Sequence, residues 1–281
     1  MTEEVKIGLA LGGGGARGLA HIGVLKVLER LKIPISCIAG TSMGGLVGAL
    51  YANGFSSQEI EDEAMQVGQL RQFARFLDLR LKLRMRGLLK GGRIYRYMTE
   101  KLGEDLSFAD LKLPLAVVCV DLIRGRQVIL ASGSVAAAVR ATISVPAIFE
   151  PIEFGDYRLV DGGMLNNVPV DIVRNLGADV VIAVDVLPNF CANQPGGPLI
   201  THPLEHKYAP QMIKETYSVQ LIMISALTEM QLRESQPEIL IRPKLPIDLG
   251  LFTGFDRPGE AITAGEQAAV ALMPQLEALL K

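Results

Sequence analysis

The 281-residue sequence predicts a doubly wound α/β fold, with a mainly parallel central sheet and helices on both faces. Short apolar segments rich in β-branched residues alternate along the chain with longer segments whose apolar residues recur at helical spacing. Such alternation is typical of parallel strands joined by helices. The composition, 49% hydrophobic and 21% charged, is that of a globular chain able to bury a large core.

The first two β-turn-α units carry the clearest pattern. Residues 5–11, "VKIGLAL", predict a strand, "GGGGARG" predicts a turn, and residues 19–31, "LAHIGVLKVLERL", predict a helix. Residues 33–40, "IPISCIAG", and residues 45–54, "GLVGALYANG", repeat that order around a turn that contains Ser42. Each of the two turns therefore follows a strand and precedes a helix.

Further elements are expected downstream. Apolar composition predicts strands at residues 113–121, 126–132, 157–163 and 178–186. A short helix is predicted over 168–177, with Pro169 near its first turn and Gly177 at its end, and another helix from Gly259 onward. Because neither an internal repeat nor a linker is found, we expect a single domain over residues 1–281.

Within this domain, a core that carries the motifs is expected over about residues 5–186. Residues from about 63 to 101 predict a basic helical cap or insertion. Residues 188–210 are rich in Pro, Gly and Asn and predict a mobile surface loop. A C-terminal strand and helix are expected within about residues 238–281.

Charge and cysteine content exclude several classes of protein. A net charge of -2 and a pI near 6.0 argue against a nucleic-acid partner. Cys37, Cys119 and Cys191 form no C-x-x-C pair, so we expect buried thiols in a reducing compartment, and no metal or cofactor site. Neither a signal peptide nor a membrane span is predicted. We expect a cytoplasmic protein, with peripheral attachment to the inner face of the membrane as an alternative, and no oligomeric state follows from the sequence.

A candidate nucleophile lies in "SCIAGTSMGGLVGALYA", residues 36–52. Gly40-Thr41-Ser42-Met43-Gly44 matches G-x-S-x-G at the point where a strand passes into a helix, the context in which this motif presents a reactive serine. The alternative is a structural serine in a tight, glycine-rich turn.

The glycine-rich turn after the first strand fits G-x-G-x-x-G; its residues are Gly13, Gly14, Gly15, Ala16, Arg17 and Gly18. A dinucleotide site would need an acidic residue at the end of the second strand, where Gly40-Thr41-Ser42 stands instead. Glycines at a helix N-terminus can direct backbone N–H groups at an anion, and both turns are expected at the same edge of the sheet. The turn therefore predicts either an oxyanion hole or a phosphate cradle.

A serine nucleophile needs a base. Asp161 ends a β-rich run directly before Gly162 and Gly163, at the same kind of strand edge as Ser42, and could accept the serine proton itself. The alternatives are a turn aspartate or a triad completed by His202 or His206. His21 lies inside a predicted helix and is expected to pack there.

With these three motifs in order, the sequence resembles the patatin-like phospholipase family. The resemblance runs from about Ile7 to Asp185 and is strongest to its compact bacterial branch, which is similar to the catalytic domain of neuropathy-target-esterase-like lysophospholipases. "ATISVPAIFEPI", residues 141–152, looks like the third block of the family, with Thr142 where serine is common.

The resemblance implies a patatin-like variant of the α/β-hydrolase architecture and a Ser-Asp dyad that works without histidine, metal or cofactor. It assigns Ser42 as nucleophile, Asp161 as general base and residues 13–18 as the oxyanion hole, supported by the motif glycines Gly40, Gly44, Gly162 and Gly163. The implied activity is hydrolysis of fatty-acyl esters, lysophospholipids or phospholipids, through an acyl-serine. The alternatives are acyl transfer to another acceptor and a non-catalytic nucleotide-binding or phosphate-binding module.

Residues 71–96 form a basic stretch, with nine Arg and Lys against the single acid Asp78. Apolar side chains are interspersed with these cations, a composition that suits an interfacial helix on anionic lipid. A cap over the active site and a surface for self-association are equal alternatives.

Overall fold

The computed structural model describes residues 5–68, 90–146, 148–188, 211–246, 248–250 and 253–280. The strands in these ranges are β1 (Ile7–Leu11), β2 (Ile35–Thr41), β3 (Leu115–Asp121), β4 (Arg126–Leu130), β5 (Ile152–Phe154), β6 (Tyr157–Asp161), β7 (Val180–Val184) and β8 (Ile239–Ile241). They form one mixed sheet in the order β5-β6-β3-β2-β1-β7-β8, and β4 also pairs with β3.

Strands β3, β2, β1, β7 and β8 are parallel to one another, whereas β4, β5 and β6 pair antiparallel at one end of the sheet. The predicted doubly wound, mainly parallel α/β fold is therefore confirmed. The antiparallel end has consequences for the site, because it brings β6 back toward the carboxyl end of β2.

The helices that surround the sheet are α1 (Ala20–Arg30), α2 (Met43–Ala52), α3 (Ser57–Gly68), α4 (Gly92–Leu102), α5 (Val135–Thr142), α6 (Val170–Asn175), α7 (Gln211–Ser235), α8 (Pro258–Ala271) and α9 (Met273–Ala278). Short 3-10 helices are η1 (Gly15–Leu19), η2 (Phe108–Asp110) and η3 (Gly162–Met164). Helices α5 and α7 and strand β5 have no counterpart in the predicted elements. Helix α3 begins upstream of the predicted cap boundary at residue 63, and the predicted C-terminal helix is two helices.

Alternate side chains of β1 enter two separate cores. Ile7, Leu9 and Leu11 face the larger core together with residues of α1 and α2. Ala10, on the opposite face, belongs to a smaller core that also contains Val173 of α6. This period of two places helices on both faces of the sheet, as expected for strands buried on both sides.

One edge of β3 is shared by two strands that run in opposite directions. Strand β2 pairs with it in parallel as far as Thr41 opposite Val118, and β6 pairs with it antiparallel from Asp161 opposite Cys119. Strand β4 pairs with Val117 to Asp121 throughout, so it occupies the other edge. The last residues of β2 and β6 therefore meet opposite adjacent residues of β3.

Several predictions concern residues outside the described ranges. These are most of the basic stretch 71–96, most of the loop 188–210, His202, His206 and Cys191. Cys37 and Cys119 are buried free thiols, as expected. Within the described ranges, no helix combines the length and the apolar character that crossing a bilayer requires.

Helices α1 and α8 approach each other through two glycines. A Cβ atom added to Gly23 would lie 1.9 Å from the Ile262 carbonyl oxygen, and one added to Gly265 would lie 1.9 Å from the Ala20 carbonyl oxygen. Both distances are to backbone atoms, so a side chain at either position could fit only if the helices moved apart. This contact fixes the C-terminal helix against the first helix of the core.

We predict that Gly23→Ala lowers the free energy of unfolding by about 1–3 kcal/mol, because overpacking outweighs the gain in helix propensity. Gly259→Ala is the matched control, since a Cβ atom at that helical position would meet only the Met65 Cε atom, at 3.4 Å. Urea titration followed by circular dichroism measures both variants. Equal or higher stability of Gly23→Ala would contradict the close approach of α1 and α8.

Candidate active site

Ser42 occupies a sharp turn between β2 and α2. Its φ of 53° and ψ of -122° lie in a region that costs a non-glycine residue about 1–3 kcal/mol. The flanking glycines permit this turn: a Cβ atom on Gly40 would lie 2.5 Å from the Gly44 carbonyl oxygen, and one on Gly44 would lie 2.1 Å from that of Leu11. The geometry is that of the strained strand-to-helix turn expected for G-x-S-x-G.

Thr142, at the end of α5, holds this turn in place. The Ser42 backbone N–H donates to Thr142 Oγ1 over 2.8 Å, and the Thr142 hydroxyl donates to the Val118 carbonyl over 2.6 Å. Thr142 is fully buried. The residue that departs from the family pattern thus connects the serine turn to β3, and it preserves the hydroxyl that a serine would supply.

Asp161 lies at the end of β6, with its carboxylate beside the Ser42 side chain. The Gly163 N–H donates to Asp161 Oδ1 over 2.8 Å, and the Asp161 N–H donates to the Ser144 carbonyl over 3.0 Å. Burial raises the pKa of Asp161 to about 6, although Ser42 and the Gly163 N–H oppose the increase. The carboxylate is therefore more basic than an exposed aspartate and remains ionised at neutral pH.

The glycine-rich turn of residues 13–18, called the glycine loop below, lies against the serine. A Cβ atom on Gly13 would be 2.9 Å from Ser42 Cβ. Three N–H groups of this loop donate to backbone carbonyls: Gly13 to Asn167, Ala16 to Gly250 and Arg17 to Gly14. Within the described residues, the N–H groups of Gly14 and Gly15 donate to no acceptor. The N–H groups of Gly14 and Gly15 are therefore available to a ligand in this part of the structure.

The Arg17 side chain is directed away from the serine. Its guanidinium is buried and donates to the carbonyls of Val186 over 2.6 Å, Pro246 over 3.2 Å and Leu249 over 3.5 Å. Arg17 therefore ties the glycine loop to the segment after β8. The predicted place of Arg17 in the oxyanion hole is not supported by these contacts, because both its backbone N–H and its side chain are used elsewhere.

His21 is the one histidine within the described ranges. Its Nε2 atom lies 2.7 Å from the Gly12 carbonyl oxygen, and burial lowers its pKa to about 4. The ring is therefore neutral at pH 7 and donates from Nε2. It supports the backbone before the glycine loop, in agreement with the expected packing role.

Two cavities meet at Ser42. The larger, about 170 Å³, is lined mainly by apolar side chains of α1, α2, α3 and α4 and by Phe149 and Phe255. The smaller, about 50 Å³, contains Asp161, the glycines 13–15 and Asn167. The serine thus stands between an apolar chamber and a polar one.

The apolar chamber includes one hydrogen-bonded polar group. The Tyr97 hydroxyl donates to Glu63 Oε1 over 2.7 Å, and Lys101 Nζ lies 2.6 Å from Glu63 Oε2. Burial and the bond to Glu63 raise the pKa of Tyr97. These contacts join α3 to α4 across the wall of the chamber.

Comparison with known proteins agrees with this geometry. A family model described as patatin-like phospholipase matches residues 9–174. The chain belongs to the patatin-like phospholipase family. Membership is consistent with lipid acyl hydrolase activity, and the matched residues include the glycine loop, Ser42 and Asp161.

The chain is similar to part of two longer proteins. It is 35% identical over 182 residues to patatin-like phospholipase domain-containing protein 6 of mouse, covering 64% of this chain and 13% of that protein. It is 35% identical over 202 residues to an uncharacterized NTE family protein of Mycobacterium bovis, covering 70% of this chain and 33% of that protein. The chain thus spans a minor part of the length of these relatives.

The crystal structure of VipD from Legionella pneumophila has the same fold. The two structures superpose with a TM-score of 0.61 at 14% sequence identity, covering 98% of this chain and 67% of VipD. The similarity at this level of identity concerns architecture. It extends beyond residue 174, so the C-terminal elements belong to the shared fold.

Three residues that position the site were not selected from the sequence. The Thr41 hydroxyl donates to the Asn166 carbonyl over 2.9 Å, and Asn167 Nδ2 donates to the Gly13 carbonyl over 3.3 Å. The pair Asn166-Asn167 thereby links the Asp161 segment to both the serine turn and the glycine loop. The sequence feature that could have indicated them is the pair of adjacent asparagines shortly after Asp-Gly-Gly, within "VDGGMLNNVP".

We predict that Asp161→Asn raises the free energy of unfolding at pH 8. The folded pKa of Asp161 is raised from 3.8 to about 6, so the ionised carboxylate costs stability above pH 6, and this cost disappears as the pH falls toward 4. Two pKa units correspond to about 3 kcal/mol, an upper bound for the gain at pH 8.

Urea titrations at pH 8 and pH 4.5 check this expectation, with Asp156→Asn as the control because Asp156 is exposed in the β5–β6 turn. The gain from Asp161→Asn should shrink at the lower pH, whereas the control should change little at either. A loss of stability at pH 8 would mean that the bonds to the carboxylate outweigh its burial.

Proposed function

We propose that the protein is a serine esterase that hydrolyses fatty-acyl esters, of the phospholipid or lysophospholipid class, through a Ser42-Asp161 dyad. The observation that carries this proposal is that Ser42 and the buried Asp161 line the same small polar cavity, at its junction with an apolar one. A dyad of this kind needs no histidine. The family relationship independently supports a lipid acyl hydrolase.

In the first step, Asp161 accepts the proton of the Ser42 hydroxyl as the oxygen attacks the ester carbonyl carbon. A tetrahedral intermediate forms, and its negative charge lies on the former carbonyl oxygen. Asp161 then returns the proton to the departing alcohol oxygen as the ester C–O bond breaks. The products are the free alcohol and an acyl ester of Ser42.

The N–H groups of Gly14 and Gly15 are the proposed oxyanion donors. They border the same small cavity as Ser42 and Asp161 and are free of acceptors within the described residues. Removing one donor of this kind typically costs about 3–4 kcal/mol of transition-state stabilisation. Since both donors are backbone groups, replacing either glycine would affect the oxyanion site by changing the geometry of the loop.

In the second step, water replaces the alcohol. Asp161 takes a proton from the attacking water, the Gly14 and Gly15 N–H groups again hold the oxyanion, and the fatty acid leaves as Ser42 recovers its proton. Water as the acceptor defines a hydrolase. An alcohol in its place would define an acyltransferase with the same residues.

The apolar chamber suits the acyl chain of the substrate. Its lining includes Leu46, Val47 and Leu50 of α2, which extends away from the serine, and Ile60 of α3. Burial of each methylene in such surroundings favours binding by about 0.8 kcal/mol. Esters with longer acyl chains should therefore have lower KM values than acetate, up to the capacity of the chamber.

Peripheral attachment to anionic membrane through the basic stretch 71–96 stays a prediction, as does a cytoplasmic location. Of that stretch, the described part holds Lys90, Arg93 and Arg96, and Arg93 and Arg96 lie on α4 beside the wall of the apolar chamber. A lipid substrate approaching from a membrane would meet this side of the protein if the stretch binds there.

The direct test is fluorophosphonate labelling of wild type and three variants, Ser42→Ala, Asp161→Asn and the double variant His202→Ala/His206→Ala, together with hydrolysis of p-nitrophenyl butyrate. Ser42→Ala should abolish labelling, and Asp161→Asn should reduce turnover by at least a thousandfold, because the serine loses its base. The double histidine variant should retain both.

Loss of labelling in the histidine variant would contradict the dyad and favour a triad that includes His202 or His206. An unlabelled wild type would refute the esterase and favour a phosphate-binding glycine loop, which a rise in Tm with added nucleotide would then detect. Urea titration of each variant separates loss of chemistry from loss of folding.

The pH dependence of kcat/KM is a second expectation. Because the pKa of Asp161 is about 6 and the base must be ionised, kcat/KM should be constant above pH 7 and should fall about tenfold per unit below pH 6. Initial rates with p-nitrophenyl butyrate between pH 4.5 and 8 measure the profile. Full activity retained at pH 4.5 would contradict a buried carboxylate as the base.

A further inference from the structure

Helix α7 carries an apolar stripe on its solvent side. The stripe consists of Val219, Ile222, Met223 and Met230, which are 54%, 46%, 65% and 67% exposed. Ile222 and Met223 follow Val219 by three and four residues, and Met230 follows Met223 by seven. This spacing places the four side chains along one side of the helix, over about 17 Å. A single exposed apolar side chain is common on protein surfaces, whereas several in a row indicate an interaction site.

The inner side of the same helix packs against the rest of the protein. Leu221 and Leu232 are buried, the Ser225 hydroxyl donates to the Pro188 carbonyl over 2.7 Å, and Gln231 Nε2 donates to the Leu165 carbonyl over 2.7 Å. Residues 216–228, "TYSVQLIMISALT", contain no charged side chain. A helix packed on one side ordinarily carries charges on the other, whereas here charges flank only the end of the stripe, where Met230 lies between Glu229 and Arg233.

The stripe adjoins the candidate active site. Gln220, Leu221 and Ile224 line the small cavity that holds Ser42 and Asp161, and they alternate along α7 with the exposed Val219, Ile222 and Met223. One turn of helix therefore borders the catalytic cavity on one side and solvent on the other.

We propose that this stripe docks on a lipid surface and that α7 lies in the interface while its inner side faces the catalytic cavity. This inference rests on the proposed function, because a lipid layer against α7 would bring the ester to the side of the protein on which the small cavity lies. A second copy of the chain on the stripe would occupy that side and supply no ester. Lipid is therefore the occupant that the position of the stripe favours.

The absence of charge in residues 216–228 sets the expected character of the contact. Binding through the stripe should occur on neutral phosphatidylcholine vesicles and should change little between 50 mM and 500 mM NaCl, because salt screens charges and leaves apolar burial in place. Binding through the basic stretch 71–96 would instead require anionic lipid and would weaken with salt.

The test is flotation of the full chain with phosphatidylcholine vesicles, comparing wild type with Ile222→Gln/Met223→Gln. Neither substituted residue lines the cavity with Ser42. The matched control is Val270→Gln/Leu280→Gln, which replaces residues of similar exposure, 41% and 49%, at the C-terminal helices. We expect vesicle partitioning to fall at least tenfold in the α7 variant and to remain within twofold of wild type in the control.

Light scattering measures the oligomeric state, and fluorophosphonate labelling tests the reactivity of Ser42 in the same samples. Unchanged partitioning of the α7 variant, or no wild-type binding to phosphatidylcholine, would overturn the proposal. A wild-type dimer that the α7 substitutions dissociate would overturn it in favour of a contact between copies. An unlabelled wild type that still binds vesicles through α7 would refute the proposed esterase and leave the lipid surface standing.

Discussion

The change of partner along one edge of β3 is the constraint on which the candidate site depends. Parallel β2 ends opposite Val118 and antiparallel β6 ends opposite Cys119, so the residue after one strand and the last residue of the other become neighbours. The Val118 carbonyl at this changeover accepts the Thr142 hydroxyl, which in turn receives the Ser42 N–H. The proposed nucleophile and its proposed base are thus positioned by the sheet.

The site combines features that each cost stability. Ser42 has a positive φ, and Asp161 is a buried carboxylate whose pKa is raised by burial to about 6. Surrounding groups offset these costs by fixing the geometry: Thr142 and Thr41 hold the serine turn, and the Gly163 N–H bonds the carboxylate. Such strain and burial are common where chemistry requires a preorganised group. A neutral His21 supports the nearby backbone without adding a competing charge.

Local sequence patterns were sufficient for the parallel strands and for Ser42, since each lies inside a continuous stretch that encodes its own conformation. Asp161 could be selected because it, too, ends a strand before glycines. The choice of Gly14 and Gly15 as proposed donors could not be predicted, because it depends on the carbonyls of Asn167 and Gly250, which lie far along the chain and accept the N–H groups of Gly13 and Ala16. Helix α7 was missed for a related reason: its sequence is apolar on both sides, so helical periodicity is weak, and tertiary packing decides which side is buried.

The glycine loop lies inside the segment that the family model matches, but it is held by residues outside that segment. Ala16 and Arg17 are held by carbonyls of Pro246, Leu249 and Gly250, all beyond the matched residues 9–174, and α8 is fixed to α1 at Gly23 and Gly265. The contacts that hold the glycine loop therefore extend beyond the segment that the family model matches. A substitution near residue 250 can therefore alter the glycine loop while leaving every family motif intact, because four carbonyls outside the matched segment hold that loop, those of Val186, Pro246, Leu249 and Gly250.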